Sequence, residues 1–292
     1  MNTVNQFYGD IGSSYAYAMY NDEPPNAPEN DDRAHSKGAI LFNGEQGFWL
    51  VHSIPKWPGA LSQGYQEPSQ KTWSITYAQS LMCTSFHIDR LDDIAEIQMV
   101  QWPTVYSANI SSDLAAEHPQ FALWISGEKT IWHKNKTKTK TTPLVSYNGR
   151  HMTHFAKSEY CECDLWGDVV APGLPANMRT ETWQNGDGGK LPDYCSPTYN
   201  YSATNITNIA MRDGVSWKET QDHSKWGVSD SEGRTVCIGD INRQESQADR
   251  GGGALCYNNK ELFETFDSIV ESEYFCGSDK LKDHAASAPS AL

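Results

Sequence analysis

The stretch Asp222-His223-Ser224-Lys225-Trp226-Gly227-Val228-Ser229-Asp230 runs on through Thr235-Val236-Cys237-Ile238 into Gly239-Asp240-Ile241-Asn242-Arg243, and its reading decides the fold. Strand side chains alternate faces, so a His and a Lys two residues apart on extended backbone point the same way. They can therefore meet one substrate together. Asp230 comes five residues after Lys225, and Asn242 follows in a Gly-Asp-x-Asn turn. The stretch thus offers a nucleophile or acid, a cation, a carboxylate and an amide, which are the parts a phosphodiester needs.

The same tripeptide occurs at His35-Ser36-Lys37. Laid over the first without a gap, this copy puts Phe48 on Val236, Leu50 on Ile238 and His52 on Asp240. Each copy then reads as a motif, a short strand, a polar turn and a second strand ending on an ionisable group 17 residues after the histidine. Matched apolar positions and a matched endpoint imply an internal duplication.

Working outward, 292 residues at 38% apolar content suffice for one large domain or two packed halves. No apolar run approaches the roughly 20 residues needed to cross a bilayer. Met1-Asn2-Thr3-Val4-Asn5 lacks the charged start and apolar centre of a secretory leader. Seven cysteines and four Asn-x-Ser/Thr acceptors, at Asn109, Asn135, Asn200 and Asn205, nevertheless point to the secretory pathway. A leader is then expected upstream of this chain. The net charge of −14 opposes nucleic-acid binding at neutral pH, but protonating the nine histidines takes it to −5. An acidic compartment suits such a composition.

Asn21 to Asp32 is rich in Pro and acid and reads as a loop into the first motif. Ala39–Phe42, an Asn43-Gly44 turn and Phe48–Val51 predict a hairpin. A helix is expected over Ser74–Met82, and a second where Ile88, Leu91, Ile94, Ile97 and Val100 recur every third residue. The lysine-rich run Trp132–Lys140 reads as an exposed edge or loop, as does Lys190–Ser202. Asn259 is expected to cap a helix with Leu262, Phe263, Phe266, Ile269 and Val270 on its buried face.

Several uncommon strings now occur together and in order from about Tyr20 to Cys276. They are His35-Ser36-Lys37-Gly38, Gly47-Phe48-Trp49-Leu50-Val51-His52-Ser53-Ile54-Pro55, Asp222-His223-Ser224-Lys225-Trp226, Gly239-Asp240-Ile241-Asn242-Arg243 and Arg250-Gly251-Gly252-Gly253-Ala254-Leu255-Cys256. In these the chain resembles deoxyribonuclease II, an acid endonuclease family of lysosomes and secreted proteins, apparently without the family's N-terminal segment. The resemblance implies a mixed α+β, phospholipase D-like fold whose two pseudo-symmetric halves each give a His-x-Lys pair to a shared active site. The halves are expected at residues 1–145 and 146–276, with a disordered tail at 277–292.

For catalysis the resemblance implies metal-free endonucleolytic cleavage of DNA to 3′-phosphate and 5′-hydroxyl ends. His35 would be the nucleophile that forms a phosphohistidine and His223 the acid, or the two in reverse order, with Lys37 and Lys225 as the clamps on the non-bridging oxygens. Asp230 or Asp240 would orient an imidazole, and His52 and Asn242 would be further site residues. The acid imidazole must carry its proton, which favours acidic pH. Phe42 stands where the superfamily has an Asp after the first motif, a departure the family shares. A metal nuclease on His35, His52 and Asp240 is the competing chemistry. A lysosomal or secreted location and a homodimer around DNA are further implications, with no membrane partner and no cofactor. An inactive, secreted binding protein is the alternative.

By the same resemblance Cys195 pairs with Cys276 and Cys237 with Cys256, while Cys83 pairs with a cysteine upstream of this chain. Cys161 and Cys163 have no counterpart, and a lone Cys-x-Cys is too small for a zinc site. His151, His154 and Lys157 are read as structural; His87, His118 and His133 as surface or capping residues. Arg250-Gly251-Gly252-Gly253 is either a phosphate-binding turn or a tight turn that places Cys256.

Overall fold

The computed structural model describes residues 3–9, 14–68, 76–186, 188–230, 233–276 and 278–283. Alternation along the first strands sends apolar residues to two faces. β1 (Ala16–Asn21), β2 (Lys37–Phe42) and β3 (Gln46–His52) give Ala18, Tyr20, Ile40, Phe42, Trp49 and Val51 to one core. The intervening Met19, Ala39, Leu41, Phe48 and Leu50 go to another. With both faces covered these strands read as nearly continuous apolar runs. β4 (Leu81–His87) and β5 (Val105–Ile110) complete a five-stranded sheet of order β4-β3-β2-β1-β5.

The period-three spacing forms α1 (Leu91–Gln101), and α2 (Pro119–Ile125) packs against it. The remaining strands are β6 (Thr139–Val145), β7 (His151–Lys157), β8 (Met178–Thr182), β9 (Ala203–Ala210) and β10 (Ser216–Lys218). After them come β11 (Lys225–Ser229), β12 (Thr235–Gly239), β13 (Gly252–Asn258), β14 (Val270–Phe275) and β15 (Ser278–Asp283). They form a ten-stranded sheet of order β15-β14-β9-β8-β11-β12-β13-β7-β6, with β10 on β9. α3 (Lys260–Asp267) begins where the Asn259 side chain accepts the Leu262 N–H at 2.8 Å. It lays Phe263 against Trp226, Val228, Val236 and Ile238. Leu144, Met152, Ala156 and Leu255 of the larger sheet join Ile94, Ile97 and Met99 of α1 in a common core, so the halves do not separate.

The order β13-β12-β11-β8-β9 repeats β4-β3-β2-β1-β5, with Lys37 opening β2 and Lys225 opening β11. One pairing differs: β5 runs antiparallel to β1, whereas β9 runs parallel to β8. Register corrects the gap-free superposition by one residue. Gly38 faces Val51, but its counterpart Trp226 faces Ile238, so Ser53 rather than His52 is equivalent to Asp240. A slip of one residue on a strand exchanges faces.

Other expectations shift as well. β6 belongs to the second sheet although it falls within 1–145. Residues 278–283 are a strand where a disordered tail was expected; residue 277 and residues 284–292 lie outside the described residues. The helix over 74–82 gives way to strand from Leu81, because β4 must pair with β3, and Ser74 lies outside the described residues. Among the described residues no helix is long and apolar enough to cross a membrane.

Candidate active site

Each motif stands at the mouth of its strand, where the main chain crosses to the other half. The His35 N–H donates to the Gly251 carbonyl (2.9 Å) and the His223 N–H to the Ala78 carbonyl (2.8 Å). Followed back from the pairs His52–Leu81 and Gly239–Ala254, Ala78 and Gly251 are equivalent positions. A Cβ at Gly251 would sit 2.0 Å from the Gln101 carbonyl oxygen, so only glycine lets the chain pass there.

The rings are fixed in the same reciprocal way. His35 Nδ1 lies 2.6 Å from the Asp240 carbonyl oxygen and His223 Nδ1 lies 2.9 Å from that of Ser53, again equivalent positions. A carbonyl only accepts, so each Nδ1 donates and each neutral ring carries its lone pair on Nε2. Ser53 is itself held to Ser80 through its N–H (3.0 Å) and through its hydroxyl, which accepts the Ser80 N–H at 2.9 Å. Asp240 is held to Gly253 likewise, by its N–H (3.1 Å) and by its carboxylate, which accepts the Gly253 N–H at 2.6 Å.

Charge is distributed less evenly. Lys37 and Lys225 are each 1% exposed. The Lys37 ammonium pairs with Asp22, whose other oxygen lies 3.1 Å from Arg250 Nη2 and 3.6 Å from His35 Nε2. Burial alone would raise the Asp22 acid, but Lys37, His35 and Arg250 hold it well below the usual carboxylate range. Among the described residues Lys225 has no such partner: its ammonium donates to the His223 carbonyl at 2.7 Å, and burial followed by Lys37 pushes its pKa well down. His35 is depressed by burial, then Lys37, Arg250 and Lys225, with Asp22 opposing. His223 is depressed by burial, then Lys225, Lys37 and His35. The motifs lie within one another's fields.

Both histidines line one cavity of about 670 Å³, together with Asn242, Arg250, Trp102 and Trp183. Trp102 ends α1 in the left-handed region (φ 66°), held between the Arg33 guanidinium at 4.4 Å and the His133 ring at 3.5 Å. That backbone costs roughly 1–3 kcal/mol and places an indole on the wall. Asn242 is set by Arg243, which donates to Asp164 and Asn205 at 2.9 Å each and so anchors the turn.

His35, His223 and Asn242 therefore share one wall, while Lys37 and Lys225, outside that lining, join them through Asp22 and the His223 carbonyl. Asp240 contributes its carbonyl to His35, while burial pushes its acid up to about 8. His52 lies outside the cavity lining, its Nδ1 accepting the Ile54 N–H at 3.1 Å and its pKa lowered by burial to about 3. Asp230 sits beyond the far end of β11, where it accepts from Asn177 and Gly233 and does not line the cavity. Among the described residues the ligand atoms of His35, His52 and Asp240 do not all lie within 4.8 Å of one another, so that trio does not gather into a ligand set.

Asp22 and Arg250 were not expected in the site, and neither was His133 on its wall. Asp22 is hidden in an acid-rich loop; its only signal is that it directly follows a strand paired with the motif. Asn109, Asn135 and Asn200 are exposed, but Asn205 is buried with its amide donating to Leu191 and Asp193, which corrects its reading as a glycan acceptor. Disulfides join Cys195–Cys276 and Cys237–Cys256 as the resemblance implied, and Cys161 joins Cys163. Cys83 is free among the described residues. His154 and Lys157 are structural: Lys157 donates to the Gln247 and Ala248 carbonyls.

The sequence profile described as Deoxyribonuclease II matches residues 1–276. The chain is 34% identical to plancitoxin-1 of Acanthaster planci over 276 residues, covering 93% of this chain and 75% of that protein. It is 32% identical to cell-death-related nuclease 7 of Caenorhabditis elegans, covering 92% and 71%, and 32% identical to deoxyribonuclease-2-alpha of Rattus norvegicus, covering 92% and 76%. With the duplicated sheet and the paired motifs, these similarities make the chain a deoxyribonuclease II-type hydrolase, and it belongs to the deoxyribonuclease II family.

Proposed function

We propose that this chain is an acid endonuclease that cleaves DNA phosphodiesters to 3′-phosphate and 5′-hydroxyl ends through a phosphohistidine, without a metal ion. The observation that carries this is reciprocal: each imidazole donates Nδ1–H to the opposite half and keeps Nε2 for chemistry in one shared cavity. One Nε2 attacks phosphorus, the other protonates the departing 5′ oxygen, and water then releases the phosphate. Lys37 and Lys225 supply positive charge for the non-bridging oxygens. Both imidazole pKa values are depressed, so the cationic form needed by the acid fills only as pH falls. Three disulfides support a secreted or lysosomal setting, where that pH is met.

Supercoiled plasmid at about pH 5 with excess EDTA tests the reading. The chain should nick it, and His223→Ala should lose at least a thousand-fold in rate. Activity that survives the substitution and dies in EDTA would replace this mechanism with a metal-dependent one. No nicking at any pH by folded protein would favour a binding role.

A further inference from the structure

Beyond the Asp240 carbonyl that holds His35, the chain turns through Asn242, Arg243 and Gln244, and two carboxamides of that turn line the cavity beside both histidines. Both are buried, Asn242 to 3% and Gln244 to 2% exposure. Asn242 Nδ2 donates to Gln244 Oε1 at 3.3 Å, and among the described residues Asn242 Oδ1 and Gln244 Nε2 have no hydrogen-bond partner. A buried polar atom without a partner costs roughly 1–3 kcal/mol, so the pair is carried against stability. Turning both carboxamides over exchanges the two residues' roles and still leaves one carbonyl and one amino group unengaged.

The pair is also held still. Arg243, between the two, is fully buried and donates to Asp164 and Asn205. The Asn242 N–H donates to Gln247 Oε1 at 3.1 Å, the Gln247 N–H returns to the Gln244 carbonyl at 3.0 Å, and Gln244 forms a bridge with Lys190. The first half differs here: Pro55 and Trp57 stand two and four residues after Ser53, as Asn242 and Gln244 do after Asp240, and neither lines the cavity. Gln101 Oε1 is likewise unpartnered among the described residues, but its amino group is turned to His154 at 3.3 Å.

We infer that the Asn242–Gln244 pair seats the hydrolytic water of the second step: its carbonyl accepts a hydrogen from that water, and its amino group donates to a non-bridging oxygen of the phosphorylated imidazole. The inference deepens the phosphohistidine reading above and rests on it.

The first step needs cations and a proton donor, which the buried lysines and an imidazole supply. Ammonium groups only donate, so they cannot hold a water by its hydrogen for attack. A neutral carbonyl can, and it does so without the repulsion that a carboxylate would exert on the phosphoryl oxygens. In the second step the water oxygen bonds to phosphorus while the P–N bond breaks and returns its electron pair to the phosphorylated imidazole. One water proton passes to Nε2 of the other, neutral histidine. The second stays on the new phosphate oxygen, which is the hydrogen the carboxamide carbonyl has held.

Rapid mixing with a nucleoside 3′-(4-nitrophenyl phosphate) at about pH 5 in EDTA separates the steps, because nitrophenol leaves in the first and the nucleoside 3′-phosphate in the second. Gln244→Leu should release nitrophenol in a burst equal to the enzyme present and then turn over roughly a hundred-fold more slowly than the parent chain. Its kcat/KM should be unchanged, and alkaline quench should trap the accumulated phosphohistidine. With methanol present the variant should give a larger share of nucleoside 3′-methyl phosphate, since water is no longer the nucleophile held in place. Gly186→Ala reaches the same amide from outside: a Cβ there would lie 2.9 Å from Gln244 Nε2, so it should displace the carboxamide and slow turnover about tenfold with the same burst. Equal falls in kcat and kcat/KM without a burst, or turnover unchanged in both variants, overturns the inference. A parent chain that EDTA silences sinks the phosphohistidine reading instead.

Discussion

The two halves build one frame and fill it with different chemistry. His35 and His223 are gripped by equivalent carbonyls, yet one lies beside an Asp22–Arg250 ion pair and the other beside Trp183 and Tyr77. The Lys37 ammonium meets a carboxylate, whereas the Lys225 ammonium donates to the His223 carbonyl. Asp240 does with an acid what Ser53 does with a hydroxyl. Topology thus fixes where the imidazoles stand, through main-chain groups that any side chain supplies. Side chains fix the charge around them.

The lysines break this comparison most severely. Lys37→Met and Lys225→Met should each slow plasmid nicking by about a thousand-fold, because each removes a cation proposed to face the phosphate. Their stabilities should diverge. Lys37→Met leaves Asp22 buried with one partner fewer, a loss of about 3 kcal/mol. Lys225→Met removes a buried ammonium that Lys37 repels and that, among the described residues, has no carboxylate in ion-pair reach, so its Tm should rise. Equal destabilisation of both would show that the charge asymmetry has no energetic weight.

The paired motifs were legible because strand alternation makes His-x-Lys a statement about one face, and α1 because Leu91, Ile94 and Ile97 repeat at helical spacing. Asp22 was not, because its environment comes from Lys37 and from Arg250, residues far apart in the chain. The superposition failed by one residue because the hairpins differ in register, which depends on strand pairing and leaves no mark on local composition. Asp230 has the expected spacing from Lys225, but that spacing carries it to the opposite end of the strand from the histidine.

Asp240 offers a milder, pH-dependent test. Its folded pKa, about 8, lies above that of an unfolded aspartate near 3.9. A raised acid contributes stability that is fully present below the unfolded value and is lost as pH rises through about 8. Asp240→Ser copies the first half and removes that dependence. Relative to the parent chain it should gain Tm on going from pH 5 to pH 8, with the His35 contact kept because it uses the main chain. A difference in Tm that does not change with pH would mean that Asp240 titrates as an ordinary carboxylate.

The smallest effect tests the register itself. Cys237 faces Cys256 across β12 and β13, in a disulfide with Cα atoms 4.0 Å apart. Their counterparts are Leu50 and Cys83, which face one another across β3 and β4. Ser53–Ser80 and Asp240–Gly253 are hydrogen-bonded pairs, and antiparallel pairs alternate, so both cysteine positions are of the closer, non-hydrogen-bonded kind. Leu50→Cys should therefore oxidise with Cys83 without moving the backbone. Closing that loop is worth about 3 kcal/mol, offset by roughly 1–2 kcal/mol for the methyl groups taken from beside Leu41 and Phe48. A loss of two mass units, no titratable thiol and a Tm a few degrees above the reduced form are the expected readouts. Thiols that stay free under oxidising conditions would mean that the two hairpins are not equivalent at this position, and the equivalence of Ser53 with Asp240, drawn from the same strand registers, would lose its support.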